Sequence, residues 1–246
     1  MLESFYIQTY SEKVELDWKL KHALGSELYK KDPLRTLRPE LIGDRNRLDL
    51  MWMNKKLGIR GAQKANNDFD FLHITSPETA HPEICVMMEI LENDPLPMEM
   101  AQIRFRVSSS KEKGIWIDCA NTLIRDLLAE KHWLKRRLSD GWIVEMGQKH
   151  KAVFDSEDEL KFAEAPRVPW LDSYNQFNEA LPLKSYVSSF SQPGPEANRA
   201  LMAAIFDLLD HHGVQFNSWC EYGVGYGNLT VYMTSLAHKK AHRTEK

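Results

Sequence analysis

Glu221-Tyr222-Gly223-Val224-Gly225-Tyr226-Gly227-Asn228 sets an acidic residue two places before alternating glycines, directly after the apolar run Val214 to Cys220. The pattern predicts a strand, a tight turn and the start of a helix. Glycine is required in such a turn for two reasons: the backbone takes positive φ, and a Cβ would hold the chain away from a bound ligand. Turns of this kind hold nucleotide-like ligands. As a bare pattern Gly-x-Gly-x-Gly is weakly specific, and a plain strand-to-helix turn satisfies it equally well, so its neighbours carry the reading.

Immediately upstream, Leu201, Met202, Ile205, Phe206, Leu208 and Leu209 fall on a long helix that Pro195 opens, a residue suited to a first helical turn. Before it lies Tyr186-Val187-Ser188-Ser189-Phe190-Ser191-Gln192-Pro193. Gln192 can cap the following helix or reach a ligand held by the glycine turn, and the residues leave both open. After the turn a last helix is expected from about Leu229 to Leu236.

Farther out the pattern changes. Asp155 to Pro182 is acidic and then rich in Pro, Trp, Asn and Tyr, and reads as a crossing between two units with a boundary near residue 180. The preceding part alternates strands and helices. Arg47 to Met53 places Leu48, Leu50 and Trp52 on one face, and Asn54-Lys55-Lys56 turns the chain into Leu57-Gly58-Ile59-Arg60, a hairpin signature. His81-Pro82 opens a helix whose Ile84, Met87, Met88 and Leu91 share a buried face. Ile103, Phe105 and Val107 alternate with Arg104 and Arg106, and Ile115 and Ile117 repeat the alternation; the arginines are expected to face solvent or RNA. A helix from Asn121 to about Leu138, strands at Trp142 to Val144 and Ala152 to Phe154, and an amphipathic leading helix over Ser11 to Tyr29 complete a mixed α+β unit.

Composition bounds the function. At 246 residues, 43% hydrophobic and 27% charged, the chain can bury a substantial core. A formal net charge of −3 excludes a polycation that coats nucleic acid. Basic character is local: residues 34–64 carry eight basic side chains, Arg45, Arg47 and Arg60 among them, against three acidic ones. Such a run is by default a solvated strand face. Cys85, Cys119 and Cys220 form no Cys-x-x-Cys pair, which speaks against zinc and for a reducing, cytoplasmic setting. Each is read as a small core residue rather than a nucleophile. His211-His212 lies on a helix where adjacent side chains diverge, so no metal is expected there. No stretch approaches about 18 consecutive apolar residues, and no membrane partner is expected.

Taken together, Ser189-Phe190-Ser191-Gln192-Pro193, the long helix, and Glu221-x-Gly-x-Gly-x-Gly-Asn228 resemble the tRNA (uracil-5-)-methyltransferase family, which has Phe-x-Gln before a long helix and then a loop of the type Glu-Leu-Tyr-Cys-Gly-x-Gly-Asn. Arg45-Asn46-Arg47-Leu48-Asp49-Leu50 and Leu57-Gly58 look like that family's Tyr-Arg-x-Arg strand and hairpin. The similarity spans roughly residues 12 to 237. It implies S-adenosyl-L-methionine as cofactor and a uracil in folded RNA, foremost tRNA, as substrate. Carried over by position, Gln192, Glu221, Tyr222, Gly223, Gly225, Gly227 and Asn228 would contact the cofactor, and Arg45, Arg47 and Arg60 the RNA.

Two departures qualify what the resemblance implies. The loop has Gly223 and Val224 where the family has its tyrosine and cysteine. In the family a cysteine thiolate adds to uracil C6 and a carboxylate removes the C5 proton, and both residues lie well beyond the cofactor loop. No cysteine of this sequence sits in the family's Asp-Pro-Pro-Arg-x-Gly setting; Asp32-Pro33-Leu34-Arg35 is a look-alike without one. The expectation is therefore an α+β RNA-binding-type domain at residues 1–180, followed at 181–246 by the beginning of an α/β Rossmann-like methyltransferase domain with an incomplete sheet. Catalytic residues are expected to be absent, so the chain alone is not expected to be active. The competing expectation is a non-catalytic RNA-binding or assembly protein whose leftover elements pair with a second chain or another copy.

Overall fold

The computed structural model describes residues 42–63, 69–118, 130–147, 151–156, 159–175, 179–211, 213, 220–221 and 225–235. The chain separates into two compact units, Met1–Arg38 and Pro39–Lys246. The expected leading helix, the strand before the glycine turn from Val214 to Trp219, and Tyr222 and Gly223 lie outside the described residues.

Within the second unit the expected hairpin forms. β1 (Arg47–Met53) and β2 (Lys56–Gln63) pair antiparallel with Met53 opposite Lys56. Asn54 and Lys55 between them have φ of 52° and 61°, the left-handed conformation that a two-residue turn needs to match the strand twist. β3 (Phe69–His73) pairs with β2, and β4 (Met100–Val107) with β1. β5 (Lys113–Asp118) lies antiparallel to β4 and parallel to β6 (Trp142–Met146). A parallel pair cannot be joined by a short turn. The chain between β5 and β6 accordingly carries a helix, α2 (Lys131–Ser139). β7 (Lys151–Ser156) and β8 (Glu159–Glu164) extend the sheet to eight strands in the order β3-β2-β1-β4-β5-β6-β7-β8.

The first helix, α1 (Pro82–Asn93), buries Ile84, Met87, Met88 and Leu91, the four residues that helical spacing selects. The His81 ring accepts the Glu83 amide at 3.2 Å and Pro82 fills the first turn, so the helix starts where the sequence predicts. These side chains meet Leu48, Leu50, Trp52, Ile103, Phe105 and Ile117 from the sheet in one core. Glu92 ties α1 to β2 by accepting the Leu57 amide at 2.9 Å and to β3 through His73 Nε2 at 2.8 Å. Trp133 Nε1 of α2 donates to the Asp94 carbonyl at 2.9 Å, and Arg136 grips the Asp94 carboxylate with two hydrogen bonds of 2.8 and 2.7 Å.

The opposite face of the sheet departs from expectation. Arg106 is fully buried, and the Arg104 side chain is 13% exposed, so neither faces solvent. Alternation fixes which residues share a face, but it cannot show that a second layer covers the polar one. The cover comes from Asp155 to Pro182 and its continuation. In place of an irregular crossing, this stretch supplies β8, β9 (Val168–Tyr174) and β10 (Ala180–Ser185), the last two forming a separate antiparallel sheet. Pro169 and Pro182 are tolerated because a two-stranded sheet leaves half of its amides unpaired. Ala180, at the expected boundary, is the first residue of β10 and pairs with Tyr174. Trp170, fully buried, inserts against Gly114 of β5, where an added Cβ would lie 2.6 Å from its ring. Asn46 Nδ2 fixes the layer from the other side with a 2.8 Å bond to the Trp170 carbonyl.

α3 (Pro195–His211) begins at Pro195 as expected and packs on β9. A last helix, α4, runs over residues 228–235. Among the described residues no helix is long and apolar enough to cross a membrane.

Candidate cofactor cleft

The glycine turn, the middle of α3, the Phe190–Gln192 segment and the small sheet line an open cleft of about 230 Å³. Its floor is apolar, with Leu171 and Leu183 from β9 and β10 and Leu201, Met202 and Ile205 from α3. Its rim is polar and aromatic: Phe190, Ser191, Gln192, Glu221, Gly225, Tyr226 and Asn228. A mostly apolar concavity with a few converging polar groups is the ordinary form of a small-molecule site. Of the residues selected from sequence, Gln192, Glu221, Gly225 and Asn228 all reach this one cleft although Gln192 and Glu221 are far apart in the chain. Gly227 lies in the same turn but does not line the cleft, and Tyr222 and Gly223 are among the undescribed residues.

The turn has the geometry its glycines require. Gly225 and Gly227 have φ of 56° and 83°, a region L-residues rarely occupy. The Gly227 carbonyl then accepts the Val231 amide at 2.9 Å, the opening bond of α4. Glu221 is held by Thr230, whose hydroxyl donates to Oε2 at 2.6 Å. A carboxylate oriented in this way accepts hydrogen bonds from neutral hydroxyls or pairs with a cation. Asn228 is fixed by two hydrogen bonds with Asn198 of α3, and Ser173 Oγ of β9 donates to the Asn228 carbonyl at 2.9 Å.

The opposite wall, Phe190 to Gln192, is anchored by residues of the large sheet. The Tyr186–Ser189 turn in front of it closes with the Ser189 amide on the Tyr186 carbonyl at 3.2 Å. Glu145 of β6, fully buried, accepts the Val187 amide and, at 2.9 Å, the Ser188 amide. Arg106 donates to the Tyr186 carbonyl at 3.0 Å and also to Ser191 Oγ. Arg104 donates to the Ser189 carbonyl at 3.0 Å and to that of Ser188, and Arg47 to that of Ser191. Burial, then the charges of Arg104 and Arg47, lower the Arg106 pKa to about 9, so it stays protonated at neutral pH. Asp49 lies between Arg47 and Arg104 and pairs with both. Desolvation opposes its ionisation, but hydrogen bonds and charge from Arg104 and Arg47 outweigh that and hold it below the ordinary carboxylate value.

Asp44 supplies a long-range helix cap. Its carboxylate accepts the Glu196 amide at 3.0 Å and the Ala197 amide at 3.3 Å, satisfying free donors at the N-terminus of α3. Gln192 therefore does not supply these caps.

The residues selected as RNA contacts are separated by their surroundings. Arg45 and Arg60 are exposed, and Arg60 stacks on Phe69 with 4.5 Å to the ring centre. Arg47 is 11% exposed, held by Asp49 and lying 4.8 Å from the Phe190 ring centre. Of the cysteines, Cys85 is half-buried beside the core, Cys220 is exposed rather than a core residue, and Cys119 lies outside the described residues. The described residues hold no cluster of three or more His, Cys, Asp or Glu able to bind a metal. Phe206 and Leu209 are half-buried, whereas Leu201 is 41% exposed.

Sequence reasoning did not select Ser189, Tyr226, Arg104, Arg106, Glu145, Asn198 or Asp44 for the site. Arg106 falls on a strand position that alternation assigns to the polar face, so its burial, like that of Glu145, is visible only in the structure. A charge on a buried strand face requires a partner.

No family model matches the chain. It is 29% identical over 200 residues to an uncharacterized RNA methyltransferase of Bdellovibrio bacteriovorus, an alignment that covers 80% of this chain and 49% of that protein. The chain thus resembles an RNA methyltransferase at a distance and spans about half the length of the curated relative it matches.

Proposed function

We propose that the cleft binds S-adenosyl-L-methionine and that the chain provides the RNA-holding and first cofactor-binding parts of an RNA (uracil-5-)-methyltransferase acting on tRNA in the cytoplasm. The observation that carries this reading is the convergence of Gln192, Glu221, Gly225 and Asn228 on one cleft, since these four were selected by motif position alone. The donor set suits the ligand. The apolar floor accepts a flat heterocycle, the Glu221 carboxylate accepts sugar hydroxyls, and the glycine turn admits close backbone approach. The bound cofactor would supply an electrophilic methyl group on a sulfonium. The chain's own residues would bind and orient it.

In this reading residues 1–180 serve RNA and 181–246 begin the cofactor portion, with exposed Arg45 and Arg60 meeting phosphates. The thiol nucleophile and the base are assigned to no residue of this sequence, so methyl transfer by the chain alone is not expected. Isothermal titration with S-adenosylmethionine tests the cofactor half. Micromolar affinity is expected, and millimolar or absent binding rejects it. Filter binding to tRNA across a salt series tests the other half, where a flat salt response rejects the arginine surface.

A second reading, a non-catalytic RNA-binding or assembly protein, is favoured by Leu181 and Leu201, which are 37% and 41% exposed and leave apolar surface for a second chain or another copy. tRNA binding together with self-association and no cofactor affinity would select it.

A further inference from the structure

The two walls of the cleft come from segments far apart in the chain, and one side chain joins them. Ser189, 5% exposed, precedes the Phe190–Gln192 wall, and its hydroxyl donates to Tyr226 Oη at 2.7 Å in the glycine turn. The same oxygen accepts the Tyr186 amide at 3.1 Å, and the Ser189 carbonyl accepts Arg104 of β4 at 3.0 Å. One residue therefore links the large sheet, the serine-rich wall and the glycine turn.

We propose that Ser189 is a positioning residue for the cofactor cleft, with its hydroxyl latching the Phe190–Gln192 wall to the glycine turn through Tyr226. The inference rests on the cofactor reading above. The physical argument is preorganisation: two walls held at a fixed separation before binding leave less conformational freedom to be lost when the ligand enters. Gly225 and Gly227 make their turn intrinsically permissive, and the turn is tied to the other wall through the side chain between them. Tyr226 is 39% exposed, so its hydroxyl is not kept in place by burial alone. Ser189 is well suited to the role because Arg104 and the closing bond of the Tyr186–Ser189 turn fix its own backbone.

The test compares Ser189→Ala, Tyr226→Phe and the double variant in the full chain. Hydrogen–deuterium exchange on the ligand-free protein is read over residues 186–192 and 225–231, and S-adenosylmethionine affinity by titration calorimetry. Tyr226→Phe removes one hydroxyl and leaves the ring, so it isolates the latch from folding. The expected result is faster exchange in both segments for each single variant, affinity about ten-fold weaker, and a double variant no worse than Ser189→Ala, because that change already removes the latch together with the bond to the Tyr186 amide. Unchanged exchange in Tyr226→Phe overturns the latch. Faster exchange with wild-type affinity overturns the positioning role, as do additive losses. Wild-type protein that binds no S-adenosylmethionine rejects the cofactor function itself, while the exchange data still decide whether the two walls are linked.

Discussion

Asn198 and Asn228 exchange two side-chain hydrogen bonds, Asn228 Nδ2 to Asn198 Oδ1 at 2.6 Å and Asn198 Nδ2 to Asn228 Oδ1 at 3.1 Å. The pair joins α3 to the first residue of α4, and Asn198, fully buried, also donates to the Asp172 carbonyl of β9 at 3.1 Å. Asn198→Ala leaves the Asn228 amide and the Asp172 carbonyl without this partner. The expected loss is about 2 kcal/mol, the cost of stranding buried polar groups. Urea denaturation measures it, and a loss below a few tenths would show that water takes over both contacts.

The cap of α3 is open to a double-mutant cycle. Asp44→Ala removes the acceptor for the Glu196 and Ala197 amides, and replacing a capping aspartate typically costs about 1 kcal/mol. Gly194→Ala attacks the same contact from the other side, since its Cβ would lie 2.1 Å from Asp44 Oδ2. The carboxylate must move and the cap is lost. The two changes are therefore expected to be non-additive in thermal denaturation. Full additivity would mean that Gly194→Ala acts through something other than Asp44.

How far the sequence revealed this arrangement depended on which face of the sheet was involved. Wherever one face met the core and the other looked polar, period and burial agreed: Leu48, Leu50 and Trp52, or Ile84, Met87, Met88 and Leu91, appear where alternation and helical spacing predict them. The polar face misled, because Arg104 and Arg106 pack under a second layer that alternation cannot reveal. That layer was hidden as well, since Pro169 and Pro182 argue against strands in any sheet larger than a hairpin. The cleft beside the glycine turn was legible only as a meeting place of residues with special backbone or side-chain demands, Gly225, Asn228, Glu221 and Gln192. Its supports were not. Ser189 and Asn198 are ordinary polar residues whose partners lie 37 and 30 positions away, and no local pattern marks such pairings.

The Asp49 carboxylate between Arg47 and Arg104 predicts an acid limb in stability. Its folded-state pKa lies below the ordinary value of 3.8, so its contribution is present above that pH and is lost as pH falls through the lower folded value. Asp49→Asn should remove this part of the acid limb. It should also cost about 1 kcal/mol at neutral pH, a figure kept small because the Asp49 side chain is 42% exposed and water screens the pair. Urea midpoints from pH 3 to 7 for both proteins provide the check. Parallel curves down to pH 3 would exclude Asp49 as a source of the slope.

Arg106 and Glu145 act as a buried pincer on one turn: the arginine donates to the Tyr186 carbonyl and Ser191 Oγ, while the carboxylate accepts the Val187 and Ser188 amides. Neither charge has water to fall back on, so removing one leaves the other in a low-dielectric interior beside backbone groups that have lost a partner. Arg106→Ala and Glu145→Ala are each expected to destabilise by about 3–5 kcal/mol, the range for breaking a buried charge constellation. Arg106→Lys should recover only part of the loss, because an ammonium cannot reproduce the planar fork that spans the carbonyl and the hydroxyl. Chemical denaturation of the three variants provides the measurement. Full recovery by lysine would show that charge alone, rather than the guanidinium geometry, holds the turn in front of the cleft.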